Sequence, residues 1–104
     1  MNDCIAAGWT VMADGRLQID KDPAASLRYG FDIAGILADG DTITGITIPA
    51  QAGVTATQAG YSGTVVSCRV AGGTAGDTGS VTLRWTTTQG DTDERTLLFR
   101  LVER

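Results

Sequence analysis

Three ribbons of this chain alternate apolar and polar residues: Leu27-Arg28-Tyr29-Gly30-Phe31-Asp32-Ile33, Val81-Thr82-Leu83-Arg84-Trp85 and Leu97-Leu98-Phe99-Arg100-Leu101. Side chains two apart on an extended backbone point the same way, so each ribbon buries one face and wets the other. Tyr29, Phe31, Leu83, Trp85, Leu97 and Phe99 form the predicted core. Turn-forming Gly, Asp and Thr separate the ribbons, and the pattern predicts an all-β fold: an immunoglobulin-like antiparallel β-sandwich of six to eight short strands with an N-terminal arm.

The rest of the chain fills in that outline. Residues 1–22 read as an arm or added hairpin. They hold a mildly apolar stretch around Trp9, a turn at Ala13-Asp14-Gly15 and a short strand from Arg16 to Ile19. Pro23 forces Asp22 into an extended conformation and opens the main domain, residues 23–104. Ala34 to Leu37 is too short and glycine-broken for a helix and predicts a single turn. Thr42 to Ile48 is a strand whose apolar positions Ile43, Ile46 and Ile48 change phase once. A β-bulge at Gly45 restores the facing of both halves, and Pro49 is expected to end the strand. Val54 to Gln58 is a weakly patterned edge strand, followed by a turn over residues 59–63. The remaining strands run from Thr64 to Val70, Ser80 to Thr87 and Glu94 to Val102. A glycine-dense loop over 71–79 and a polar hairpin loop over 88–93 join them.

With 104 residues there is room for one domain and one core. Hydrophobic residues make up 42% of the chain, which argues against global disorder. The net charge of −4, with Lys21 as the single lysine, disfavours nucleic acid, whose phosphates need a basic face. No secretory signal and no apolar run long enough to span a bilayer can be read, so no membrane partner is expected and folding is placed in a cytoplasm. A reducing compartment disfavours pairing Cys4 with Cys68. Cys68 alternates with Val66 and Val70 and reads as a small buried hydrophobe.

Chemistry is sparse. Histidine is absent, which removes the usual general base and the commonest zinc ligand. Asp39-Gly40-Asp41 and Asp91-Thr92-Asp93-Glu94 are acidic clusters that read first as turn residues. A weak calcium site is the alternative. Gly72 to Gly76 lacks the ending of a phosphate-binding loop. No catalytic residue, cofactor or metal site is expected, and the chain is read as a non-enzyme.

What remains is surface. Trp9 is either ordinary core or an anchor on a neighbouring subunit, with Ile5 and Val11 beside it in the arm. Arg84 and Arg100 face outward and read as exposed ion pairs or as partner contacts. Leu98 and Val102 share the nominally wet face with Arg100, and an apolar pair there suggests a covered face. The candidate partner-binding set is therefore Ile5, Trp9, Val11, Leu98, Arg100 and Val102.

The stretch from Lys21 to Asp32, continuing through Leu37-Ala38-Asp39-Gly40-Asp41-Thr42-Ile43, resembles the opening of small immunoglobulin-like virion structural proteins of tailed phages and prophages. Ala71 to Gly76, the polar hairpin, Thr92 to Thr96 and the ending Val102-Glu103-Arg104 extend the resemblance over most of residues 21–104. It departs at Ile33, where an aromatic is common, and near Gly79-Ser80, where a bulkier residue is common. The resemblance implies a virion protein assembled in the bacterial host cytoplasm. Capsid decoration or cementing is the first expectation, with binding to the surface of the major capsid protein and stabilisation of the head. Such a protein would act as a homo-oligomer or symmetric array on the particle. The alternatives are a neck or tail adaptor or minor tail protein, and a carbohydrate or host-surface binding module.

Overall fold

A computed structural model describes residues 9–103. It contains eight strands: β1 (Thr10–Val11), β2 (Leu17–Lys21), β3 (Leu27–Asp32), β4 (Ile43–Ala52), β5 (Thr55–Ser62), β6 (Val65–Ala71), β7 (Thr78–Thr87) and β8 (Thr92–Leu101). They form two sheets, one of five strands in the order β1-β2-β8-β7-β4 and one of three in the order β3-β6-β5. The core lies between them, as the alternation requires. Tyr29, Phe31, Val66, Val70, Leu83, Trp85, Leu97 and Phe99 are all buried. Arg84 and Arg100, on the opposite parity, are exposed.

One pairing departs from the wholly antiparallel expectation. β2 lies parallel to β8, with Leu17 beside Leu97 and Ile19 beside Phe99. Residues 13–16 turn the chain back from β1, and the Met12 amide donates to the Arg16 carbonyl at 2.8 Å. After β2 the chain crosses to the other sheet through a corner at Asp22, whose carboxylate accepts from the Ala24 amide at 2.9 Å. Part of the predicted arm is thus a hairpin added to the larger sheet, and Leu17 and Ile19 pack on the core.

Two strands run four residues past their expected ends. Pro49 does not end β4, which continues to Ala52. Its register with β7 shifts between Ile43 and Gly45, the predicted bulge, and again between Thr47 and Ala50, around the proline. Proline is tolerated because β4 is an edge strand and the second bulge leaves that position without a ladder partner. The expected turn over 59–63 is likewise strand, since β5 runs to Ser62. β5 reaches that length through a register shift between Thr57 and Gly60. At the shift Gln58 adopts φ 55°, the one non-glycine positive φ among the described residues.

Gly79 explains its departure from the resembled pattern. A Cβ there would meet Val54 Cγ1 at 2.6 Å, so Val54 occupies the space that a larger residue at 79 would take.

Candidate binding surfaces

Of the sequence-marked set, Ile5 lies outside the described residues, as does Cys4. Trp9 turns inward. Its indole Nε1–H donates to the Gly30 carbonyl of edge strand β3 at 2.9 Å. Its ring meets Tyr29 and Phe99 edge-on, at centroid distances of 6.2 and 5.8 Å. Val11 faces the other way and is 71% exposed. Leu98 is buried at 8%, despite sharing the parity of Arg100. Val102 is half-buried, and its amide donates to the Lys21 carbonyl at 3.0 Å. Among the described members, Trp9 is turned into the sandwich, whereas Leu98 and Arg100 share one face of β8.

The outward arginines of the large sheet are matched by acids. Arg84 pairs with Glu94 across the β7–β8 hairpin at 2.8 Å. Arg100 grips Asp20 of β2 through Nε and Nη2, at 2.8 and 2.9 Å. Arg16 and Arg95 pair with Asp14 and Asp93.

The small sheet is different. Arg28 of β3 and Arg69 of β6 stand directly opposite each other, on its outer face. Arg28 donates from Nε to the Ser67 hydroxyl at 3.0 Å and from Nη2 to the Gln58 carbonyl at 2.7 Å. Arg69 donates from Nη1 to the Ser26 carbonyl at 3.0 Å. Sequence reasoning passed over this pair, because the arginines are 41 positions apart and only the β3–β6 register brings them together. The available signal was parity: both sit at outward positions.

Two buried groups need accounting. Lys21 is 1% exposed, and its ammonium donates to the carbonyls of Asp22 and Gly72 at 2.9 and 2.8 Å. Desolvation lowers its pKa, with the Asp22 carboxylate acting against that effect. The hydrogen bonds tie the end of β2 to the glycine-rich loop, which is a structural role. Cys68 is fully buried, and desolvation pushes its thiol up to about 11, so it is an inert core residue.

The acidic turns serve the backbone. The Asp41 carboxylate accepts from the amides of Thr42 and Gln89 at 3.0 and 3.1 Å. The Thr87 hydroxyl contributes most to holding its pKa below the usual carboxylate value, followed by the amides. A notch of about 210 Å³ lies beside it, lined by Ile36, Leu37, Trp85, Thr87 and Asp91 among others. A shallow groove of about 690 Å³ runs between β2 and β3, past Ile19, Lys21, Leu27 and Tyr29. Among the described residues, no group of three or more Cys, Asp or Glu is placed to hold a metal ion.

A family described as podophage GP4 fiber-tail adaptor protein gp77 matches residues 21–100. The chain belongs to this family. It is a small phage virion structural protein, and the family is one of structural adaptors. The gp77 match spans everything from the end of β2 to nearly the end of β8 and leaves the β1–β2 turn outside. Both arginines of the small sheet fall within it. No curated protein matches this chain.

Proposed function

We propose that this protein joins the tail fiber to the tail of a phage particle and works entirely through protein–protein contact. The family match over residues 21–100 carries this reading. It favours the tail-adaptor alternative and gives no support to capsid decoration or cementing. The carbohydrate-binding alternative gains nothing either: Trp85 and Phe99 are buried, and Tyr61, at 44% exposure, is the aromatic available to a sugar.

The edges of the sandwich suit binding by faces rather than by strand addition. An open strand edge would pair with any extended chain. Here β4 carries Pro49 and two bulges, β5 carries a bulge, and β1 is two residues long. On β3, the Gly30 carbonyl is already held by Trp9. A rigid block with blunted edges can sit between two larger proteins without polymerising. We assign Val11 to contact with a neighbouring virion protein. Repetition around a tail ring would strengthen individually modest contacts through multivalency.

The test is location and copy number in purified particles. Immunogold labelling is expected at the tail, with roughly a dozen copies, the multiplicity of a symmetric ring. Phage lacking the gene are expected to form filled heads with tails but without fibers. Hundreds of copies spread over the head would overturn the adaptor reading and restore decoration.

A further inference from the structure

The outer face of the three-stranded sheet carries two arginines in direct cross-strand register, Arg28 and Arg69, and neither forms an ion pair among the described residues. Like charges directly opposite in a sheet are destabilising. The protein as a whole is acidic, with net charge −4, and acids neutralise the arginines at positions 16, 84, 95 and 100. The outward acid on the same strand, Asp32, lies four residues further along, about 13 Å away at strand rise. It is engaged by the Thr64 hydroxyl and the Ala34 amide.

Arg28 is also built in. The Gln58 carbonyl that accepts its Nη2 belongs to the residue at φ 55°, and the bulge around Gln58 turns β5 toward the guanidinium. Backbone strain of this kind persists only where the surroundings hold it, and it concentrates at functional positions. A Cβ at Gly60 would lie 3.1 Å from Arg28 Nη2, so the glycine keeps the space that the guanidinium fills. The Ser67 hydroxyl fixes Nε. Next to the arginine row, Gly30 and Ser67 are buried, and the Arg28 guanidinium lies over Ser67 and Gly60.

We propose that this face docks an acidic segment of a partner protein, whose carboxylates bridge Arg28 and Arg69. A guanidinium has five N–H donors. Arg28 commits one N–H each from Nε and Nη2, and Arg69 one from Nη1, which leaves Nη1 of Arg28 and Nε and Nη2 of Arg69 for carboxylate oxygens. Positioning one fork in advance reduces the entropy lost on binding, the property that makes arginine a frequent interface anchor. The proposal rests on the adaptor reading only for where in the virion that partner sits.

The probe is a fluorescein-labelled oligoglutamate peptide, titrated against the full-length protein at low salt by anisotropy and by amide chemical shifts. The expected shifts are confined to Thr57, Ser67, Arg69 and Arg28. Arg69→Gln is expected to weaken binding roughly ten-fold, the equivalent of losing one charge-assisted hydrogen-bonded contact. Arg69 holds a single carbonyl, so this variant keeps the fold. The double variant Arg28→Gln/Arg69→Gln is expected to lose binding, and Arg84→Gln to retain it. Absence of saturable binding, or equal weakening by Arg84→Gln, would overturn the proposal. So would competition by inorganic phosphate at the peptide's own affinity, which would mark a simple anion site. Failure here leaves the particle-labelling result standing, and failure of that labelling leaves the peptide result standing.

Discussion

Trp9 and Gly30 are joined by a 2.9 Å hydrogen bond across 21 positions of chain, from the indole nitrogen to a carbonyl on the edge of the small sheet. The bond closes an edge position and seats an aromatic ring against Tyr29 and Phe99. Trp9 thereby links the segment before the β1–β2 hairpin to both sheets. Trp9→Phe, which keeps a ring but drops the donor, is expected to cost about 1 kcal/mol, a typical net hydrogen bond. Trp9→Ala is expected to cost more, about 2–3 kcal/mol, because half-buried apolar area is lost as well. Urea denaturation of the two variants checks the order, and equal, negligible effects would show that Trp9 is not part of the core.

Phe99 is the hub of the aromatic cluster, 5.0 Å from the Tyr29 ring and 5.8 Å from the Trp9 ring. Trp85 forms a second contact with Phe31 at 5.9 Å. Phe99→Ala or Trp85→Ala is expected to destabilise by roughly 3–5 kcal/mol, combining lost transfer energy with the cavity left behind. Thermal and urea unfolding measure it. A loss below about 1 kcal/mol would mean that the site collapses around the gap.

Cys68 makes stability depend on alkaline pH. Its thiol is raised from 9.0 to about 11 by burial, so the folded state holds the proton where the unfolded chain has released it. The contribution is fully present below about 9 and is lost as pH rises toward 11. Holding the proton over that range is worth about 2–3 kcal/mol. Lys21 acts in the opposite sense: its folded pKa is lowered below 10.5, so its penalty is relieved as pH rises to that value. Cys68→Ala is therefore expected to flatten the fall in stability between pH 9 and 11, measured by urea midpoints across that range. An unchanged slope would exclude Cys68 as its source.

The Arg84–Glu94 pair is close at 2.8 Å, yet both side chains are nearly half exposed. Glu94→Gln is expected to change stability by less than about 1 kcal/mol, as for exposed pairs generally. A larger loss would show that the hairpin depends on this pair.

Much of the fold is legible residue by residue. The phase change in β4 announces the bulge at Gly45, because Ile43 and Ile46 cannot otherwise face one core. The outward parity of Arg84 and Arg100 announces ion pairs on the wet face. Pro49 misleads because its effect depends on whether the strand is an edge, and edge position belongs to the sheet order. Leu98 is an exception to the alternation: its parity places it with Arg100, yet it is buried. Alternation reports which face of a strand is buried, so it carries no information about which part of the particle the surface meets.

The sequence by itself determined that most of the strands exist and, Leu98 aside, which of their large side chains face inward, because alternation is a property of neighbours two residues apart. Only the tertiary structure decided that β2 runs parallel to β8, that Trp9 caps Gly30, and that Arg28 meets Arg69 over a bulge at Gln58. Each depends on the register between distant segments. Register is set by the packing of the whole sandwich, and no local pattern in these ribbons specifies it.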